Sequence, residues 1–525
     1  MLLLRSLPTL VAAATATLAL ASPAVAAPGD PDPSFSGDGR LTTSLGTSSA
    51  EGAVAVQPDG RIVVAGGAST GAESGVLTLR RFTSNGAPDT SFGGGDGLAT
   101  LAAPDMPGAG AVLIQPDGRI VVGGSCAGAR FVERFRAGGE PDPTWTPAST
   151  GLSCFGNGDS VDALALQPDG RVLFGGSFQE TAGRFPGFLD RLLPDGTNDP
   201  SFVGYAGENA PPFIWSTSGI VVQPDGRIVV ADDQVKRLRA DGTPDPTFDL
   251  ATPTFSGPPV PRDVAVQADG RIVSVANAND GTVLVERRRV GGALDPSFSG
   301  DGRAVVAAPA GATAIRVHLQ LDGRILITGT SGSSPFVARL LSDGRLDPAF
   351  GTGGRSTLAF PGRVLDSALT ADGRIVLAGH ATRAGGGEAG VVARVQGDPV
   401  AFCSGKRPTI AGTGLVLGST AADVIVTSGG ADTVIAGAGN DTVCSGAGDD
   451  DVDGGSGADA LFGGAGADRL QGWTGADQLF GEAGNDRLFG GADNDRLDGG
   501  ADTDVADGGA GTDTGIRNEQ QTAIP

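Results

Sequence analysis

Histidine is nearly missing from this chain, with 2 in 525 residues, and there are only 1 tyrosine and 2 methionines. So few imidazoles leave little room for histidine-based metal sites or acid–base relays. Basic residues are outnumbered, 37 Lys and Arg against 60 Asp and Glu. The formal charge of −23 excludes a surface built to track phosphates, and so a nucleic-acid partner. Aromatics make up only 5%. After the first residues no segment is apolar enough to span a bilayer, so no membrane span is expected once those residues are removed.

The first residues, "MLLLRSLPTLVAAATATLALASPAVAAPGD", have the layout of an export signal. Arg5 supplies the positive start, Leu7 to Ala21 a short apolar run, and Ala24-Val25-Ala26 a small-x-small cleavage site. The expectation is a signal peptide over 1–26 and a soluble, extracellular mature protein. Only four cysteines occur. In an exported chain an even number suggests disulfides, and sequence proximity favours Cys126–Cys154 and Cys403–Cys444 among three connectivities.

What the chain has in abundance is glycine, 88 residues, which argues for turns and short strands. The length calls for two or more domains. Between 28 and 400 two marks alternate seven times. One is a turn phrase, "QPDGR" at Gln57, Gln115, Gln167 and Gln223 and its relatives at Gln267, Gln320 and Thr370. The other is "PDPSF" and its relatives, ending at Phe35, Phe92, Trp145, Phe202, Phe248, Phe298 and Phe350. Pro presets φ, Asp bonds its own backbone and Gly accepts positive φ, so "AVAVQ-PDG-RIVVAGG" reads as a hairpin. A third strand, a polar turn and a shorter fourth strand follow in each unit. Four strands per unit in seven units predict a β-propeller, with an open β-solenoid or sandwich array as the competing arrangement.

The recurring Asp and Arg of "DGR" are expected to be turn residues, the Arg bonding between neighbouring blades. The aromatic of "PDPSF" is expected to anchor each crossing to the next unit. The "GDG" runs at Gly37, Gly95 and Gly300 lack the further carboxylates of a calcium loop and read as tight turns. His318 and His380 lie in strand patterns and read as blade residues. No nucleophile-elbow phrase supports a Ser–His–Asp set, and no carboxylate pair stands out for glycoside chemistry. The marks resemble the delta-60 repeats of secreted bacterial proteins, a family whose repeats imply no general activity.

The C-terminal part is a ladder of period nine. Asp423, Asp432, Asp441, Asp450, Asp459, Asp468, Asp477, Asp486, Asp495, Asp504 and Asp513 hold one register, and two residues after most of them comes Ile, Val or Leu. Six residues form a glycine-shaped turn and three a minimal strand whose apolar side chain points inward, so successive turns stack into a parallel β-roll. The Asp carboxylates are expected in rows on the outside, where they repel until a hard cation joins them. Residues 412–516 hold 19 acidic side chains and 3 Arg. A disordered acidic tail would need neither the register nor the Leu phase.

This ladder resembles the RTX, or haemolysin-type, calcium-binding repeats. The resemblance implies several bound Ca²⁺ ions and places ligation on the sixth-position Asp residues above. The turn glycines Gly430, Gly439, Gly448, Gly457, Gly466, Gly475 and Gly484 match its fourth position, and the chain departs from the pattern at Ala421, Asp493 and Asp502.

The expected fold is all-β: a seven-bladed β-propeller over 28–400, a linker over 401–411, an RTX-type parallel β-roll over 412–516 and a tail over 517–525. The expected function is a secreted calcium-binding protein, a non-enzymatic module for an extracellular glycan, cell-wall or protein ligand. The alternative is a secreted hydrolase or lyase acting on extracellular polymer, with the roll as a calcium-dependent folding aid. Folding of the roll is expected to be coupled to calcium at the affinity of extracellular modules, about 10⁻⁴ to 10⁻³ M.

Overall fold

The structure is a computed structural model. It describes residues 26–523 except 44–47, 72–73, 104–106, 127–128, 146–158, 178–186, 205–215, 233, 250–260, 268, 279–281, 307–311, 321, 360–361, 371, 383–387, 398–402, 405, 407, 413, 428–429 and 517–519. The signal peptide expected over 1–26 lies, but for Ala26, outside the described residues. Among the described residues every regular element is a strand.

Seven antiparallel sheets form the N-terminal body, and each is opened by the hairpin foreseen from its "DGR" turn. In the first, Ser48–Val56 pairs with Ile62–Gly71, which pairs with Ser74–Phe82, which pairs with Leu98–Ala103. The innermost strands, from Ser48–Val56 round to Arg363–Leu369, pack in sequence, and the last returns to the first. The ring therefore closes at seven blades, and an open superhelix is excluded. Closure is also made by a strand borrowed from the N-terminal side. Arg40–Thr43 pairs antiparallel with Glu388–Val395 and supplies the outer strand of the seventh blade. The second, third and fourth sheets show three strands each, and residues 146–158, 205–215 and 250–260, where fourth strands were foreseen, lie outside the described residues.

Blades are joined by a repeated group that only half matches the expectation. The "PDPSF" aromatics are buried, and Phe35, Phe92, Phe202, Phe248, Phe298 and Phe350 each lie against a positive-φ glycine in the turn of the next blade, as Phe92 does at Gly139. This anchoring role was foreseen. The "DGR" arginines, however, stay within their own blades, bonding the Asp of their own turn and the Asp of "PDP", as Arg61 does with Asp59 and Asp89. The reach between blades belongs to a different arginine in the third strand. Arg81, Arg134, Arg191, Arg237, Arg287, Arg339 and Arg394 each pair with the same "PDP" Asp at 2.6–2.9 Å. Each also lies over the buried aromatic, 4.5–5.0 Å from its centroid. Arg81 donates to the Ala137 carbonyl and Arg134 to that of Pro194, both in the following blade. Arg394 reaches the Ser84 carbonyl of the first blade and so bonds across the closure. The physical reason is position: a turn arginine is held between its own turn carboxylate and the "PDP" Asp, whereas a third-strand arginine keeps Nε on that Asp and extends Nη1 to a carbonyl of the next blade.

The "GDG" runs are tight turns. Gly37, Gly95 and Gly300 have positive φ, and Asp38, Asp96 and Asp301 each accept a backbone N–H two residues on. Their carboxylates cap turns, as expected of Asp in such positions.

The C-terminal body is a parallel solenoid of two seven-stranded sheets whose neighbours, the first pair of one sheet and the last of the other apart, are 18 residues apart, as in Ala460–Ala465 on Gln478–Ala483 and Arg469–Thr474 on Arg487–Ala492. Its core is one file: Val416, Ile425, Val434, Val443, Val452, Leu461, Leu470, Leu479, Leu488, Leu497 and Ala506, all buried. Cys403 and Cys444 are bridged, S–S 2.11 Å, which ties the entering chain to the roll across 41 residues. Cys126 is also disulfide-bonded, and Cys154, expected to be its partner, lies outside the described residues.

Candidate metal centre and the propeller channel

The sixth-position aspartates do not line the outside of the roll. All eleven, Asp423 to Asp513, are buried, most of them with 1–2% of their surface exposed. The reason lies in the turn. Each Asp precedes its strand and, from Asp459 on, folds back over the turn toward a glycine at the first position of the repeat; in the earlier turns Thr427, Ala436 and Ser445 stand there. A Cβ at Gly454 would come 2.8 Å from Asp459 Oδ2 and 3.3 Å from the Gly472 carbonyl oxygen. The same holds at Gly463, Gly472, Gly481 and Gly490, each facing the carboxylate five residues on and a glycine carbonyl from the next turn of its sheet. The missing side chain leaves a small cradle, with a carboxylate oxygen on one wall and a carbonyl oxygen on another.

Asp423 spends both oxygens, on Thr409 Oγ1 at 3.1 Å and on Ser419 N and Oγ at 2.8 Å, but in most later turns the two oxygens of the carboxylate have different fates. Oδ1 accepts the backbone N–H of the Asp one full turn earlier: Asp423 N to Asp441 at 2.7 Å, Asp441 N to Asp459 at 2.8 Å, Asp468 N to Asp486 at 2.9 Å, and so to Asp495 N on Asp513. Oδ2 is buried with no hydrogen-bond partner in Asp432, Asp441, Asp459, Asp468, Asp477, Asp486, Asp495 and Asp513. A buried acceptor without a donor is costly, and an anionic one more so. Burial first, and neighbouring carboxylates with it, pushes Asp459 up to about 7 and Asp468, Asp477 and Asp495 to about 6 in the metal-free chain. The orphan oxygens, the carbonyl walls and the shared negative charge suit a hard divalent cation with oxygen preference. They do not suit a soft one, for no thiolate or imidazole lies among them.

The turn glycines Gly430, Gly439, Gly448, Gly457, Gly466, Gly475 and Gly484 all have φ between +111° and +138°. A Cβ at Gly448 would strike the Gly430 backbone one turn back, so glycine is required by the stacking itself. At the departures the chain keeps the fold against preference: Asp493 and Asp502 hold φ of +81° and +77°. Trp473 and Glu482 do the same at the second position, two further departures legible in the nine-residue register. A further staple was also missed. Asn440, Asp449, Asn485 and Asn494, at the fifth position, each accept a backbone N–H one turn on.

A model of the RTX calcium-binding nonapeptide repeat matches residues 417–452, 453–488 and 480–514. This roll is an array of RTX calcium-binding repeats. The propeller carries the repeats of a domain of unknown function described as a DUF5122 β-propeller, matched at 57–92, 115–144, 167–202, 223–248, 320–350 and 370–398. No curated protein matches the chain. Solved structures that resemble it include the calcium-binding protein regucalcin of Agrobacterium tumefaciens, at 13% identity over 55% of this chain and 85% of that one, TM-score 0.33. A glucose dehydrogenase matches at 11% identity over 68% and 99%, TM-score 0.36. Likeness at this level bears on neither ligand nor chemistry.

Within the propeller one cluster breaks the repeat. Asp263, Arg316 and Asp366 occupy the inner-strand position four residues before the turn Gln or Thr, where the first four blades have Ala53, Ala111, Ala163 and Gly219. Arg316 pairs with Asp366 at 2.6 Å and donates to the Ser218 carbonyl at 3.3 Å. Asp263 and Asp366 accept the inner-strand N–H of Val317 and Val54 from the following blade. Beside them His318 Nε2 lies 2.7 Å from Ser367 Oγ, which also meets Thr328. Burial holds His318 down to about 4, so it is neutral. Sequence reading placed His318 as a blade residue but not this company, since the partners are 49 residues away. His380 sits 3.4 Å from Glu388 in its own blade.

Proposed function

We propose that this chain is a secreted calcium-binding protein, exported through residues 1–26, whose RTX roll over 412–516 takes Ca²⁺ between turns and whose propeller presents a non-enzymatic ligand face. The observation that carries the calcium reading is the file of buried Oδ2 atoms without donors. From Asp459 to Asp495 each faces a cradle left by a glycine five residues earlier. In this reading Asp432 to Asp513 provide the charged ligands, while Asp423 is held by Ser419 and Thr409, and the turn glycines provide carbonyls and the close approach. Calcium supplies positive charge where the metal-free chain buries uncompensated anions, so its binding free energy becomes folding free energy. The test is differential scanning calorimetry of the full chain in calcium and in chelator. A roll transition that disappears in chelator and returns with calcium, but not magnesium, supports the proposal. A transition unmoved by chelator defeats it.

The second reading, a secreted enzyme on extracellular polymer, is favoured by the His318–Ser367 contact. Its weakness is that Ser367 is only 5% exposed. Ser367→Ala should abolish any hydrolysis of extracellular polysaccharide the chain performs; unchanged turnover removes this reading.

A further inference from the structure

The roll is not uniform along its length. In the turns that carry Asp423, Asp432, Asp441 and Asp450 the chain fills its own cradles. Thr427 and Ser445 stand where later turns have glycine, and each hydroxyl donates to a carbonyl one full turn on, Thr427 to that of Ser445 and Ser445 to that of Gly463 at 2.8 Å. The carbonyls so taken are the equivalents of those that wall the cradles further along. Ala436 puts a methyl group in the same place and is fully buried. Asp423 is already held by Thr409 and Ser419. The same turns are tied twice to the entering chain, by the Cys403–Cys444 bridge and by Lys406, whose ammonium donates to Thr442 Oγ1 at 2.9 Å. Asp432 and Asp441 keep an Oδ2 without a donor, so these turns have the charge to attract a cation but not the space to seat one.

From Gly454 on the arrangement changes. At Gly454, Gly463, Gly472, Gly481 and Gly490 the first position is open, with the carboxylate five residues on to one side and a carbonyl from the next turn of the sheet to the other. Glycine leaves these turns without the hydroxyl that closes the earlier ones. We propose that the roll is built in two parts. The turns up to Asp450 form a collar that folds without calcium, and the complete calcium sites are the cradles of Asp459, Asp468, Asp477, Asp486 and Asp495, wound onto the collar as the ion binds. Donor and acceptor in the collar both come from the chain, so its closure needs no ion. A stack of repeats propagates from whichever turns form first, because each turn contacts only its neighbours. The bridge favours the collar as that start, since it removes freedom from the unfolded chain at this end of the roll. The calcium-dependent transition then belongs to the turns after Gly454. This inference rests on the calcium reading above and names where in the roll it holds.

The test is hydrogen–deuterium exchange of the full chain in chelator and in calcium, read by mass spectrometry, with bound calcium counted by equilibrium dialysis. In chelator residues 430–450 should exchange about tenfold more slowly, or slower still, than residues 460–495, and calcium should bring the second segment to the protection of the first. Gly472→Ser places in a calcium cradle the side chain that closes the collar at Ser445, and should remove one bound ion while residues 430–450 stay protected in chelator. Ser445→Gly opens a cradle in the collar, and should make the protection of residues 430–450 depend on calcium. Equal exchange of the two segments in chelator overturns the collar, and so does protection in the Ser445→Gly chain that remains indifferent to calcium. An undiminished ion count in the Gly472→Ser chain overturns the placing of the sites. A native chain that binds calcium but is unprotected throughout the roll in chelator defeats this inference alone. One that binds no calcium defeats the calcium reading with it.

Discussion

Asp468 shows at a single residue how charge and fold are coupled in the roll. Its Oδ1 accepts the Asp450 N–H at 2.9 Å, and its Oδ2 faces the cradle left by Gly463. Asp468→Asn keeps an acceptor for the backbone and removes the anion, so it should raise the calcium midpoint of roll folding about tenfold while the calcium-free state changes little. Gly463→Ala puts a methyl group into the cradle and should weaken calcium-induced folding more than Asp468→Asn does. Circular dichroism during a calcium titration reads both. Asp502→Gly is a test with the opposite sign. At φ +77° an Asp stores strain that Gly does not, and relief of about 1 kcal/mol should raise the roll's melting temperature.

At the scale of elements, a third-strand arginine adds a polar tie from one blade to the next at six of the seven junctions, beside the apolar packing there. Arg134 pairs with Asp142, covers Trp145 and reaches the Pro194 carbonyl. Arg134→Met leaves Asp142 buried with Thr144 and a single, more exposed cation, Arg119, and should cost about 3–5 kcal/mol in propeller unfolding. Arg119→Ala, a change in a side chain that is 41% exposed, should cost under about 1 kcal/mol. Urea unfolding followed by tryptophan fluorescence separates the two. The same groups set the acid limit. For Asp89 and Asp245 burial alone would raise the pKa, but the bonds from Ser91 or Thr247 and the paired arginine outweigh it and hold both at about 2. Carboxylates depressed in the folded state contribute stability that is complete above their unfolded value, near 4, and is lost as pH falls through 2. The propeller should therefore keep its stability down to about pH 4 and lose it progressively between 4 and 2, as followed by its thermal transition across that range.

For the whole molecule, ring closure depends on a short strand far from its partner in sequence. Arg40–Thr43 completes the seventh blade, and Asp32 lies under Arg394 and Arg374. Removing residues 26–43 should strip the seventh blade of its outer strand and the Arg394 site of its carboxylate. The expected outcome is a lower and broader propeller transition, with the calcium-dependent transition of the roll unchanged. A shift of both by the same amount would mean that the two bodies unfold as one.

Periodicity decided what could be read without coordinates. A seven-fold alternation of turn phrases specifies local hairpins and their number, and an Asp–x–Leu phase of nine specifies stacked turns, because both depend on neighbours within one repeat. The blade count, the roll, the Cys403–Cys444 bridge and the aromatic anchors follow from such local rules. Tertiary structure alone decided which way the carboxylates face. Whether Asp459 points to water or into the turn depends on the space left by Gly454 and on the Asp441 N–H 18 residues back. It alone assigned the inter-blade bond to Arg81 rather than Arg61, since both are arginines near one Asp and only their strand positions set their reach. It alone brought His318 to Ser367. Equivalent residues in a repeat are identical in sequence pattern, and only the packing of unlike neighbours around the ring makes them different.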